Sequence, residues 1–216
     1  MKSIILIAPP AAGKGTVSFI LKEKYHIPHI STGDLLREAV RNNNEFGMLI
    51  KETQEKGLLV SDEIVLKLLK NRISDCDCNN GYILDGFPRT INQAVAYEKI
   101  LADLNKKLGI VILLEVDKEL AKNRITGRVS CAKCNAIYNN KFADLKPKVE
   151  NICDKCNSEL THRSDDNEEA FNQRFDIYLE KTTPLINYYE NKNILYRVDS
   201  NHGSDSAVAT IEEIIK

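Results

Sequence analysis

The chain has 216 residues, 43 % hydrophobic and 28 % charged, a size and balance that suit one folded domain with a small insert and argue against a disordered chain. Its 30 Lys and Arg stand against 31 Asp and Glu, so no whole-chain charge draws it to nucleic acid or anionic lipid, and any polyanion site has to be local. No run approaches the roughly 18 apolar residues of a membrane span, and the run Ile4–Ala8 is too short for the core of a signal peptide, which points to a cytoplasmic protein.

In chain order, Ile4–Ala8 reads as a buried strand, and Val17, Ile20 and Leu21 follow at helical spacing. His29–Ser31 is a short second strand. Ser61, Asp62 and Glu63 give a start signal for a helix carrying Ile64, Val65, Leu68, Leu69 and Ile73. Tyr82–Leu84, Ile110–Val116 and Ile194–Val198 complete five apolar runs, rich in Ile, Leu and Val on both faces as parallel strands are. Residues 127–165 break the pattern with four cysteines and no long apolar period. Beyond them, Asp166 and Glu169 form a capping-box signal for a helix running toward Tyr178. Strands alternating with helices predict an α/β fold, a parallel five-stranded sheet flanked by helices, with ligands at the carboxyl ends of the strands.

The first strand runs into Ala8-Pro9-Pro10-Ala11-Ala12-Gly13-Lys14-Gly15-Thr16, the context of a phosphate loop. Backbone N–H groups at a helix start make a concave anion site, and Lys14 is placed to reach the outer phosphates of a nucleotide. Pro9 and Pro10 bring no N–H, so the cradle is expected from the amides of about Ala12 to Thr16. Ala8 stands where the strict pattern has its leading glycine, and Gly15 where Ser or Thr usually holds magnesium. Cys131-x-x-Cys134 and Cys153-x-x-Cys156 have the spacing of a zinc ribbon: four thiolates satisfy tetrahedral Zn²⁺ and leave no open position, so the metal is structural. Asn135 and Asn157 follow the knuckles where a left-handed residue is wanted. Cys76 and Cys78 read as reduced thiols in the turn before the third strand.

Gly13-Lys14-Gly15-Thr16, then Ser31-Thr32-Gly33-Asp34-Leu35-Leu36-Arg37, then Asp85-Gly86-Phe87-Pro88-Arg89-Thr90 with Gln93, resemble in order and spacing the motifs of adenylate kinases of the long bacterial form. Arg124 and Arg128 before the insert, with Arg163 and Arg174 after it, extend the resemblance over nearly the whole chain. Gly15 is that family's own habit. Ala8 and Ala11 depart from it, since the family has glycine at both, and alanine fits if φ stays negative there.

The resemblance implies a P-loop NTPase-like core (1–30, 61–126 and 166–216), an AMP-binding segment (31–60) and a zinc-binding lid (127–165). It implies reversible, Mg²⁺-dependent transfer of the terminal phosphoryl group from ATP to AMP, giving two ADP, by a monomer without nucleic-acid or membrane partners. Lys14, Arg89, Arg124, Arg128, Arg163 and Arg174 would be catalytic, because phosphoryl transfer needs fixed positive charge and a guanidinium grips two phosphate oxygens at once. ATP would meet Ala11, Ala12, Gly13, Lys14, Gly15, Thr16, Arg124, Arg128, Ile137, Tyr138 and the carbonyl of His202. AMP would meet Thr32, Arg37, the segment Gly57 to Val60 (Leu58, Leu59, Val60), Gly86, Phe87, Pro88, Arg89, Gln93, Arg163 and Arg174. Asp85 would hold magnesium through water. No histidine sits in a catalytic constellation; His26, His29, His162 and His202 read as structural or exposed. Two other readings stay open: a kinase for another acceptor (UMP or CMP) or with GTP as donor, and a zinc-ribbon protein that senses nucleotides and binds nucleic acid. The lid lysines Lys133, Lys141, Lys146, Lys148 and Lys155 suit the latter, but Asp144, Glu150, Asp154 and Glu159 dilute them.

Overall fold

The computed structural model describes residues 3–42, 47–55, 60–134, 136–163 and 165–216. Five short strands, β1 (Ile4–Ile7), β2 (His29–Ser31), β3 (Ile83–Asp85), β4 (Ile110–Glu115) and a late strand, Leu195–Asp199, pair in parallel. The late strand is β8, because three small strands precede it: β5 (Arg128–Cys131), β6 (Ile137–Asn139) and β7 (Leu160–Thr161). The parallel sheet has the order β2-β3-β1-β4-β8, which makes β1 its central strand and places the loop after β1 at the middle of the carboxyl edge.

Alternation along the central strands divides the interior in two. Ile5 and Ile7 of β1, with Leu84, Val111 and Leu113, face one layer of helices, while Ile4, Leu6, Ile83, Ile110, Ile112 and Leu114 face the other. Against the second face pack α1 (Lys14–Tyr25) and α9 (Ser204–Ile215), through Val17, Leu21, Ala207, Val208 and Ile211. Against the first pack α2 (Thr32–Arg41), α3 (Gly47–Glu55), α4 (Asp62–Ile73), α5 (Ile91–Asp103) and α8 (Pro184–Glu190). Burial on both faces explains the unbroken Ile/Leu/Val runs.

Among the described residues, three helix starts carry side-chain caps. Ser31 accepts from the Asp34 amide to open α2, and Thr90 accepts from the Gln93 amide to open α5. Between β4 and the insert lies α6 (Lys118–Thr126), and beyond the insert α7 (Glu168–Ile177). The start of α7 corrects the sequence reading: Asn167, not Asp166, caps it, accepting from the Ala170 amide at 2.8 Å. Asp166 is drawn instead to Arg128, an attraction between charges that outweighs a neutral cap. A π-helical segment, Tyr178–Thr182, joins α7 to α8.

Gly109 shows how tightly β1 enters the sheet. A Cβ there would fall on the Ser3 carbonyl, which already accepts from the Ile110 amide at 3.0 Å. Gly109→Ala therefore has to push the β1 and β4 backbones apart. It is expected to cost about 3 kcal/mol and roughly 10 °C in thermal midpoint; an unchanged midpoint would refute the contact.

Candidate active site

The chain leaves β1 and turns into α1 through residues 8–13. Gly13 precedes the helix with φ +89, and no side chain caps the first turn, whose amide at Val17 is the first to bond back, to the Gly13 carbonyl at 3.0 Å. The amides of Lys14, Gly15 and Thr16 are thus the orphan donors of a helix start, a positive cradle on the carboxyl edge of the sheet. One expectation changes here. The Ala12 amide turns back to the Pro9 carbonyl at 3.4 Å, which narrows the cradle by one residue. Alanine fits where φ stays negative: Ala8 keeps out of the left-handed region, whereas Ala11 lies in it with φ +60.

Lys14 curls over the loop, its Nζ 3.3 Å from the Ala8 and Pro9 carbonyls. Burial lowers its pKa; Asp85 opposes that, and Arg89, Arg128 and Arg174 reinforce it. The same cleft, about 620 Å³, is lined by Lys14, Arg37, Arg89, Arg128, Arg163 and Arg174. Burial also lowers the pKa of Arg89, with Asp85 opposing and Arg174 and Arg37 adding repulsion. At Arg163 burial leads again, followed by Arg128 and Arg37. Cations that raise each other's energy in one cleft form a site suited to a polyanion, which would relieve the repulsion.

Four of the cleft's guanidiniums have holders. Arg128 grips Asp166 with two bonds, Nε at 2.7 Å and Nη2 at 2.5 Å, and the Asp166 side chain is fully buried. Arg174 pairs with Asp165, and Arg37 with Asp34 at 2.5 Å. Arg89 donates from Nε to the Gly86 carbonyl at 2.8 Å, while its amide donates to Gln93 Oε1 at 2.7 Å and its carbonyl accepts from Thr182 at 3.1 Å. Gln93 gives its other end to Asp62 at 2.6 Å, so both ends of its amide are engaged within the protein. Thr32, also buried, donates to the Gly86 carbonyl at 3.0 Å, leaving its oxygen as an acceptor toward the cleft it lines. Gly86, with φ +76, Phe87, Pro88 and Val60 complete that wall, and the Phe87–Pro88 peptide is cis. Asp85 ends β3 in the same cleft.

Among the described residues, Cys131, Cys134, Cys153 and Cys156 bring their sulfurs within 4.8 Å of one another. The closest pairs stand 3.4 and 3.5 Å apart, near the edge of about 3.8 Å that tetrahedral Zn–S bonds of about 2.3 Å require. The donor set therefore fits zinc. Burial would raise the Cys153 thiol, but the Tyr138 hydroxyl and the amides of Lys155 and Cys156 bring it down to about 6. The Ser158 hydroxyl and amide lower Cys156. Cys134 moves the other way, to about 12: the Ala136 amide favours its thiolate, but burial and the neighbouring sulfurs prevail. Four sulfurs this close do not all ionise without a cation among them. Asn157 takes φ +58 as its place after the knuckle requires, and Asn135 lies outside the described residues.

The model of the family described as "Adenylate kinase" matches residues 6–194. The chain belongs to the adenylate kinase family. It is 45 % identical over 216 residues to the adenylate kinase of Thermotoga neapolitana, covering 100 % of this chain and 97 % of that one. It is 46 % identical over 214 residues to that of Archaeoglobus fulgidus, covering 99 % and 98 %, and 42 % identical over 213 residues to that of Clostridium tetani, again covering 99 % and 98 %. As an adenylate kinase family member it is a phosphotransferase of the nucleoside monophosphate kinase class, and its parallel sheet with a phosphate loop after the central strand is the P-loop NTPase fold.

Several residues named from the family's motifs lie apart from this cleft's lining. Arg124 points to the loop after β8, its Nη2 2.9 Å from the Ser200 carbonyl and 3.4 Å from that of Asn201. His202, in the same loop, is exposed and pairs with Asp199 at 3.4 Å. Tyr138 serves the cysteine cluster: its hydroxyl lies 3.6 Å from Cys153 Sγ and accepts from the Asp154 amide at 2.8 Å. Ile137 beside it is exposed. Gly57, Leu58 and Leu59 lie outside the described residues.

Other site residues escaped the sequence reading. Asp166, the carboxylate that aims Arg128, looked like a helix cap, and Asp165, which holds Arg174, carried no signal. His29, read as structural or exposed, lies outside the cleft's lining and stands behind Asp85, its Nε2 3.3 Å from Asp85 Oδ2. Lys51 also lines the cleft, with nothing in its local sequence to mark it.

Proposed function

We propose that this family member transfers the terminal phosphoryl group of ATP to AMP, reversibly and with Mg²⁺, giving two ADP. The observation that carries the reading is the gathering of Lys14 and five arginines around one cleft beside an uncapped helix start, in a chain of the adenylate kinase family. An AMP phosphate oxygen forms a bond to the γ-phosphorus while the bond from that phosphorus to the bridging oxygen of ATP breaks, so both products are diphosphates. No general base is required, because a phosphate monoester with a second pKa near 6 is largely dianionic at neutral pH.

In this reading Lys14 and the amides at the start of α1 hold the donor phosphates. Arg37 and Arg89 hold the AMP phosphate, and Arg163 and Arg174 clamp the group in transit. Arg128 serves the ATP side from its Asp166 anchor, and Arg124 fixes the loop carrying His202, beside which the donor base would lie. Thr32 and Val60 face the AMP base, with Gln93 shaping that wall through Asp62 and Arg89. Asp85, a carboxylate at a strand end, fits a magnesium ion held through water, which would neutralise phosphate charge during transfer. Residues 127–165 would close over the donor and exclude water that could otherwise take the phosphoryl group. The protein would act as a cytoplasmic monomer that balances adenine nucleotides; among the described residues, no helix is long and apolar enough to cross a membrane.

A panel of AMP, GMP, CMP and UMP with ATP and with GTP tests the reading. Rapid ADP formation is expected with AMP and ATP, and far slower turnover with the other acceptors. A preference for UMP or CMP, or nucleotide binding without any transfer, would overturn it.

A further inference from the structure

The loop after β8 reaches the phosphate loop through one buried hydroxyl. Ser200 Oγ donates to the Ala12 carbonyl at 2.6 Å, and Ser200 is only 2 % exposed. Ser200 itself is fixed from two directions. Its amide donates to the carbonyl of Glu115, the last residue of β4, at 2.8 Å, and its carbonyl accepts from Arg124 on α6. A donor anchored on the central sheet therefore holds the Ala12–Gly13 peptide, one residue beyond Ala11.

That peptide needs holding. Ala11 sits at φ +60 and Gly13 at φ +89, with the clamped Ala12 carbonyl between them. Glycine enters this region freely, but the Cβ of alanine makes it roughly tenfold less populated. Within the turn, the Ala12 amide bonds to the Pro9 carbonyl at a long 3.4 Å, Lys14 Nζ reaches the Ala8 and Pro9 carbonyls at 3.3 Å, and the Ala11 side chain packs against Ala121, Ile125 and Phe171. The 2.6 Å bond from Ser200 is the stronger restraint. If Ala11 relaxed to negative φ, the chain direction into Gly13 would change, and with it the aim of the amides at residues 14–16.

We propose that Ser200 is a positioning residue for the donor triphosphate: its hydroxyl pins the Ala12 carbonyl and so keeps an alanine-bearing phosphate loop in a shape that glycine adopts without help. The proposal rests on the phosphotransfer reading for the ligand's identity, and its test is made in binding so that the two fail separately. The affinities of ATP and of AMP are measured by calorimetry for the wild-type protein, Ser200→Ala, Ala11→Gly and the double variant, with a thermal melt of each. Ser200→Ala is expected to weaken ATP about five-fold, the factor one hydrogen bond accounts for, and to leave AMP affinity unchanged. Adding Ala11→Gly to Ser200→Ala is expected to bring ATP affinity back to within about two-fold of wild type, because glycine keeps the left-handed turn without the clamp, a non-additive pair. Unchanged ATP affinity in folded Ser200→Ala, equal weakening of both nucleotides, or failure of Ala11→Gly to rescue would each overturn the clamp. Wild-type protein that binds ATP but transfers nothing to AMP would overturn the phosphotransfer reading while leaving this comparison intact.

Discussion

Lys14→Met is expected to lower turnover by about 10²–10³, the range found when one preorganised donor is removed from a developing oxyanion, and to leave the thermal midpoint nearly unchanged. The two halves of this expectation have different sources. Lys14 ends among Arg89, Arg128 and Arg174, and burial together with those cations disfavours its charge in the unliganded fold. Methionine keeps most of the stem and removes a charge that burial and the neighbouring arginines disfavour. What is lost are two bonds of 3.3 Å to the Ala8 and Pro9 carbonyls. In the transition state the balance reverses, because the same ammonium then faces the charge spread over the transferred phosphoryl group. A coupled assay for ADP and a melting curve on the same preparation test both halves. Turnover within about three-fold of wild type would remove Lys14 from the reaction, and a collapsed midpoint would make its role structural.

The central strands β1, β3 and β4 were legible because they are buried on both faces, so hydrophobicity alone marks them, whereas the edge strands β2 and β8 are only partly buried. The strand ends moved by at most one residue, as at Tyr82, Val116 and Ile194. The cations that line the cleft were legible because the family's motifs fix a residue type at each of their positions, though Arg124, named with them, lies apart. What stayed hidden depends on contacts between distant segments. Asp166 reads as a cap until Arg128, 38 residues earlier in the chain, is seen to take it. Ser200 is an ordinary polar residue until the fold brings Ala12, 188 positions away, against its hydroxyl. The conformation of Ala11 was not legible, because side-chain identity states a preference and tertiary restraint decides whether it is obeyed.

Removing the zinc ligands is expected to abolish catalysis while sparing most of the fold. The insert has a small core of its own: Val129, Cys131, Ala136, Cys153 and Leu160 are its buried members, and two of these five are metal-ligand candidates. So little apolar burial does not order a three-stranded sheet in water, whereas a structural zinc site contributes on the order of 10–16 kcal/mol. The two large cores lie on either face of the parallel sheet and share no member with it. Cys131→Ser, or chelation, is therefore expected to eliminate about one bound zinc per chain, lower the thermal midpoint and retain the helical circular dichroism of the core. Turnover should fall at least about 10², because Arg128 begins β5 and Arg163 follows β7, so both guanidiniums lose their aim when the sheet β6-β5-β7 disorders. Lys155 contributes to the same coupling: it stands 5.7 Å from the ring centroid of Phe19 on α1, close enough for an ammonium to be held over an aromatic face. Elemental analysis, calorimetry and the ADP assay on one sample decide the matter. Full turnover after complete removal of the metal would show that the cysteine unit is ordered without it, and zinc absent from protein made with zinc supplied would end the assignment.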